Sequence, residues 1–284
     1  MKKIVYGFIT VIVFAVFSNH RILISDNLKR TKVFGKKLLQ MIYDFSPFAF
    51  GIMVYDSLHD IVKTVRPQPA DPTLMKWDEF IFGVQPTIWL ERYVSPWFTD
   101  YMVFCYALMF ILPAVLGFIL YHNKRYADFR NITVALVIIF IIGYAGYILV
   151  PATGPRFVLQ GKYDVDLQGD LYDKSTIVWN SLETVQRDCF PSLHTAFSAI
   201  ALFFSFKYRA VYRGGKILFW IYLPLTVSLW FSTVYLRYHW VVDVIAGMLL
   251  AVLTYYAAPK LNSIWNERIK PLPQNEDKNL NYRR

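Results

Sequence analysis

Long apolar runs dominate the chain, and its charges fall between them. Residues 102–121, 132–150 and 217–236 contain no Asp, Glu, Lys or Arg, and 240–258 carries only Asp243. Each run is long enough to cross a hydrocarbon core of about 30 Å as a helix. A shorter run, 193–206, reads as a further helix of the same bundle. Residues 39–62 read as the first core span despite Asp44, Asp56 and Asp60, which lie near its two ends. The pattern predicts an all-α polytopic membrane protein with a six-helix transmembrane core. An extra N-terminal hydrophobic segment, 4–17, follows Met1-Lys2-Lys3 and lacks a small-x-small cleavage site, so it reads as uncleaved. Three parts result. Residues 1–38 hold the N-terminal hydrophobic segment and a basic stretch, 39–258 form the transmembrane domain, and 259–284 form a basic tail.

The connectors give direction. Most of the 30 Lys and Arg lie in 20–37, 122–131, 207–216 and 259–284. Basic connectors stay in the cytoplasm, so the tail from Pro259 onward is expected inside. The starts of 193–206 and 240–258 and the end of 132–150 then share the extracytoplasmic face. Two long connectors lie on that face. Residues 66–100 contain Trp77, Trp89, Tyr93, Trp97 and Phe98, which fits a helix or loop lying in the membrane interface. Residues 151–191 are polar and contain Asp164, Asp166, Asp170 and Asp173. Their spacing lacks the closing glutamate of a calcium loop, so they read as a solvated connector.

Composition agrees. The chain is 56% hydrophobic and 18% aromatic, which a soluble domain of 284 residues would rarely be. Its net charge of +10 is explained by topology and anionic headgroups, and no nucleic-acid partner is expected. The two cysteines, Cys105 and Cys189, have no metal or redox spacing.

Three strings fall on the shared face: Gly154-Pro155-Arg156, Phe190-Pro191-Ser192-Leu193-His194 and Arg237-Tyr238-His239-Trp240-Val241-Val242-Asp243. Ser192 is a good N-cap, which puts His194 in a first helical turn where free N–H groups favour an anion. Taken alone, such a string reads better as a capped helix with an interfacial histidine. His239 and Asp243 are four apart, on one helix face. A carboxylate there can orient the imidazole and stabilise its cation, leaving the far nitrogen a better nucleophile. The alternative is a polar pair that binds another helix, but an intramembrane Asp is costly. Metal ligation by His194, His239 and Asp243 would need more ligands than the sequence offers, so no metal or cofactor is expected. Arg156 suits either bidentate phosphate binding or headgroup anchoring.

Together, in this order, the strings resemble the three signature motifs of the type 2 phosphatidic acid phosphatase superfamily. The forms F-P-S-L-H and Y-H-W-V-V-D are similar to the branch containing fungal inositol phosphorylceramide synthase and its bacterial relatives. The resemblance covers roughly residues 75–258. Leu193 stands where the wider superfamily has glycine, as in that branch. Leu149 stands where the superfamily has a lysine, and Ser232-Thr233 where it has Ser-Arg. Arg237 or Arg187 would have to supply the missing charge.

The resemblance implies a lipid phosphatase or headgroup phosphotransferase of a bacterial plasma membrane, with its site at the extracytoplasmic face. His239 would be the nucleophile, forming a phosphohistidine, with Asp243 orienting it and His194 as acid and base. Arg156, Ser192 and Arg237 would bind phosphate. The partners are a membrane lipid phosphate and a lipid or water acceptor. Water would make the protein a polyprenyl or phosphatidate phosphatase. A reading of another class is a non-catalytic lipid-binding or transport protein, which would use broken helices and paired half-repeats near the membrane midplane.

Overall fold

The structure, a computed structural model, describes residues 39–268 except 40, 41, 43, 49, 52, 56, 57, 183–186, 211 and 213. The expected N-terminal segment, 1–38, and the end of the tail, 269–284, lie outside the described residues. Among the described residues every regular element is helical.

Helix α1, Leu58–Val65, is the described end of the predicted first span. The outer connector that follows is built rather than loose. It holds α2 (Asp71–Phe82), the short α3 (Pro86–Trp89), a 3₁₀ turn at Leu90–Tyr93, and the start of α4 (Pro96–Tyr106). Helix α2 has two faces. Asp71, Leu74 and Asp78 are buried, while Trp77, Phe80 and Ile81 are exposed. That division suits a helix lying at a membrane interface.

The predicted single span 102–121 is bent. Helix α4 and α5 (Ile111–His122) meet at 46° across a 3₁₀ turn at Ala107–Met109. Pro113 explains the break: it has no N–H to give and its ring crowds the preceding turn. Tyr222 Oη donates to Leu112 O at 2.8 Å, just past the bend. Helix α6, Tyr126–Leu149, starts six residues before the uncharged run and absorbs Asp128 and Arg130 in its first turns.

The second outer connector also gains structure. It contains α7 (Pro155–Val158) and α8 (Asp170–Leu182), where the sequence suggests only a solvated loop. Helix α8 begins among the aspartates that suggest a solvated connector. Its first N–H groups are capped from α4, since Asp100 Oδ1 accepts from Leu171 N at 2.9 Å and Tyr172 N at 3.0 Å.

Helices α9 (Leu193–Lys207), α10 (Gly215–Tyr235) and α11 (Val241–Arg268) complete the chain. Helix α11 runs ten residues past the predicted span, through Pro259. Helices α6, α10 and α11 are long and apolar enough to cross a membrane, and the bent α4–α5 pair makes a fourth crossing if it is one span. At 15 residues α9 is shorter, and it is the centre of the bundle, packed on α5, α6, α10 and α11. Its small residues Ala196, Ser198, Ala199 and Ala201 are wholly buried, beside Phe197 and Phe204. Small side chains let helices approach closely where lipid supplies no hydrophobic drive. The outer helices present the reverse: Ile217, Trp220 and Ile221 of α10 and Ile245, Leu249 and Leu253 of α11 are exposed apolar residues at helical spacing.

Candidate active site

Backbone contacts join the three strings at one end of the bundle. Ser192 N donates to Asp243 O at 3.1 Å, Arg156 N to Arg237 O at 2.8 Å, and Cys189 N to Ala152 O at 3.1 Å. Two glycines allow this closeness. A Cβ at Gly247 would collide with Ser192 O, so α11 meets the start of α9 backbone to backbone. Gly154 adopts φ 87°, and a Cβ there would collide with the carbonyl of Tyr238.

The histidine rings lie 5.5 Å apart between centroids, inclined at 60°. Ser192 caps α9 as the sequence predicts, accepting from Thr195 N at 3.3 Å, and so sets His194 in the first turn. His239 ends the turn between α10 and α11, and its N–H donates to Thr233 O at 3.0 Å. Its Nδ1 lies 3.6 Å from Asp243 Oδ2, an electrostatic contact rather than a hydrogen bond. Asp243 is fully buried, and its Oδ2 also accepts from the Cys189 thiol at 2.7 Å and from Trp240 N at 2.9 Å.

Cys189 was visible in sequence only as a neighbour of Phe190. Its Sγ also lies 3.5 Å from His239 Nδ1. Burial, then the charge of Asp243, push the Cys189 thiol well above its ordinary range, so it stays protonated and donates. The potential metal ligands that come together are Cys189, His239 and Asp243, within 4.8 Å of one another. This differs from the His194-containing set weighed above. The thiol of Cys189 is hydrogen-bonded to the Asp243 carboxylate beside His239 Nδ1.

An aromatic pile links the other parts. The Arg156 guanidinium lies 4.8 Å from the Tyr238 ring centre, Tyr238 stacks on Tyr106 at 4.8 Å, and Tyr106 stacks on His194 at 4.0 Å. Tyr106 sits in an apolar run with no motif around it, which is why the sequence does not single it out.

Arg237 is differently employed. Its Nη2 meets Glu91 Oε1 at 3.2 Å and Val165 O, and its guanidinium lies 3.6 Å over Tyr163. It occupies the left-handed position after α10, at φ 66°, where glycine is usual and another residue costs about 1–2 kcal/mol. Arg156, Arg237, Gln160, Tyr163 and Asp166 line a cavity of about 330 Å³ at this end. Arg187 turns to the carbonyls of Arg66 and Pro67. Ser192 is buried with its hydroxyl on Thr195, so it reaches an anion only through the helix start that it caps.

Two buried carboxylates of α2 hold this end together, and no motif marked them. Asp71 accepts from Thr153 N and Gly154 N, both at 2.8 Å, and from Trp240 Nε1 at 3.0 Å. Asp78 accepts from Val241 N at 2.8 Å and Val242 N at 2.9 Å. Burial pushes the Asp78 carboxyl up to about 6 against those two bonds, with Asp243 adding to the rise. The folded chain therefore keeps a proton that the unfolded chain releases near pH 4. That contribution to stability is complete below about pH 4 and lost as pH rises through about 6. Relative to Asp78→Asn, the detergent-solubilised wild type should melt at progressively lower temperature between pH 4 and 7. A difference that stays flat with pH would contradict the raised carboxyl.

A family model described as the PAP2 superfamily matches residues 72–257. Over 162 residues the chain is 22% identical to a protein named phosphoinositol dihydroceramide synthase from Bacteroides thetaiotaomicron. That alignment takes in 50% of this chain and 49% of the relative, so the chain spans about half the length of the curated relative it matches. No solved structure matches it.

Proposed function

Since the chain belongs to the PAP2 superfamily, we propose that it is a membrane lipid phosphotransferase working through a phosphohistidine. The observation that carries this reading is the paired histidines with a buried carboxylate behind one of them. His239 Nδ1 faces Asp243, which leaves Nε2 to attack phosphorus. The P–O bond to the leaving group breaks as the P–N bond forms, and His194 gives the leaving oxygen its proton. His194 then takes a proton from the acceptor hydroxyl. The acceptor oxygen attacks phosphorus, and the P–N bond breaks to restore His239. Arg156 and the start of α9 face the charge that builds on the phosphoryl oxygens.

The phosphorylated headgroup fits the cavity beside Arg156, whose volume of about 330 Å³ lies at the lower end of the range for small-molecule sites. Its guanidinium, amide and carboxylate lining suits an anionic, hydroxylated group. The name of the B. thetaiotaomicron relative favours a phosphoinositol headgroup and a ceramide-type acceptor. The basic tail supports a cytoplasmic C-terminus, with this end of the bundle at the opposite, extracytoplasmic face of what we take to be a bacterial plasma membrane. Water as acceptor remains the second reading, supported by a superfamily that serves hydrolysis and transfer with one set of residues.

The deciding experiment offers purified protein several lipid phosphates and phosphoinositides, with and without ceramide or diacylglycerol. Transfer product that forms only with the lipid alcohol is expected. Free phosphate alone would favour the phosphatase. No turnover of any lipid phosphate would sink both readings and leave a non-catalytic lipid-binding protein.

A further inference from the structure

We propose that α2 is a positioning strap for this site: Asp71 sets the loop that carries Arg156, and Asp78 sets the helix start that carries His239. The inference rests on the catalytic reading above and adds two residues that lie outside all three strings. Seven residues separate the carboxylates, so both project from one face of α2. Both are buried, at 1% and 0% exposure.

Each carboxylate is filled by groups of the site. The two oxygens of Asp78 take one N–H each from Val241 and Val242, the first two residues of α11. Those N–H groups have no helical partner of their own. The residue before them is Trp240, whose side chain cannot cap a helix. Asp78 therefore supplies from another helix the cap that the local sequence lacks. Asp71 takes both its oxygens to the first string: Oδ2 to Thr153 N and Oγ1, Oδ1 to Gly154 N. Oδ1 also holds the indole N–H of Trp240, the residue after His239.

The two ties are joined by a rigid helix. Seven residues rise by about 10 Å, so the offset between the Arg156 loop and the His239 turn is set by α2 itself. Charge-assisted bonds to four backbone N–H groups make that offset stiff. Such stiffness matters because a misplacement of about 1 Å in a reacting group can cost about 100-fold in rate.

The test is a split between kinetic constants, using full-length protein in detergent and a lipid phosphate that the wild type turns over. Asp78→Asn should lower kcat by about 10- to 100-fold and leave KM within about threefold. Asp71→Asn should raise KM by about tenfold, with kcat lowered less. A merely structural role would instead lower only the fraction of protein that is active, leaving KM and the kcat per mole of trapped phosphoenzyme at wild-type values for both, and that result would overturn the proposal. Val241→Pro guards against misfolding of the Asp variants. Proline is favoured at the first helical position and removes one donor to Asp78 without touching the carboxylate. It should lower kcat by about fivefold or more. Wild-type kcat in that variant would overturn the role of Asp78. A wild type that turns over nothing would instead remove the catalytic reading, and this proposal with it.

Discussion

His239→Ala is expected to lower turnover of a lipid phosphate by about 10⁴-fold or more, the scale on which nucleophile removal acts. His239 lies at the meeting point of all the site's supports. Its backbone is held by Thr233 O, its Nδ1 faces Asp243 and Cys189, and its ring faces His194. Alanine leaves those supports in place and removes the ring whose Nδ1 faces Asp243 and Cys189. Binding should survive, because Arg156 and the cavity are untouched, so KM or a directly measured dissociation constant should change by less than about fivefold. Brief incubation of the wild type with a radiolabelled lipid phosphate should trap label on the protein. That label should be lost in acid and stable in alkali, as a P–N bond is, and absent from His239→Ala. Substantial turnover in the variant would sink the mechanism, and so would an active wild type that never carries label.

The second large effect is expected from Asp243→Asn: a loss of about 10³- to 10⁴-fold in kcat with little change in KM. The substitution keeps the shape and removes the charge. An asparagine carbonyl can still accept from the Cys189 thiol and from Trp240 N–H, the two donors that meet Oδ2 at 2.7 and 2.9 Å. What it cannot do, on the proposed mechanism, is stabilise imidazolium character on His239 as Nε2 bonds to phosphorus. Asp243 is fully buried, so water offers little substitute. The variant should stay folded by size-exclusion profile and melt near the wild type. Activity within about tenfold of the wild type would show that the carboxylate is structural. Loss of folded protein in step with loss of rate would point the same way.

Much of this site could be read in the sequence because its signals are local. Ser192 as N-cap depends on the next three residues. The four-residue spacing of His239 and Asp243 suggests one helix face, but His239 lies in the turn before α11, and it is the turn that brings its Nδ1 to 3.6 Å from Asp243 Oδ2. The uncharged runs mark spans because the bilayer admits few charges. The supports were hidden because they act over long separations. Asp78 meets Val241 across 163 residues, Asp71 meets Gly154 across 83, and Cys189 meets Asp243 across 54. Tyr106 looks like any aromatic in an apolar run until it is found against His194. Likewise the start of α8 is capped from another helix, by Asp100 of α4, across more than 70 residues.

The arginines divide on the same line. Sequence favours Arg156, which ends the first string, and offers Arg237 only as a substitute for the missing motif charge. Packing separates them: Arg237 is drawn to Glu91, Val165 O and the Tyr163 face, while Arg156 lies on the pile that leads to His194.

By itself the sequence determined the helical class, the apolar spans, the charge bias of the connectors and the order of the histidines and aspartate. Each of these is a local property of side-chain chemistry at a fixed helical repeat. Only the tertiary structure decided which buried carboxylates tie the strings together and which arginine is drawn to Glu91 and the Tyr163 ring. Those outcomes depend on groups far apart in the chain that satisfy one another's hydrogen bonds where water is excluded, and no local pattern records such a pairing.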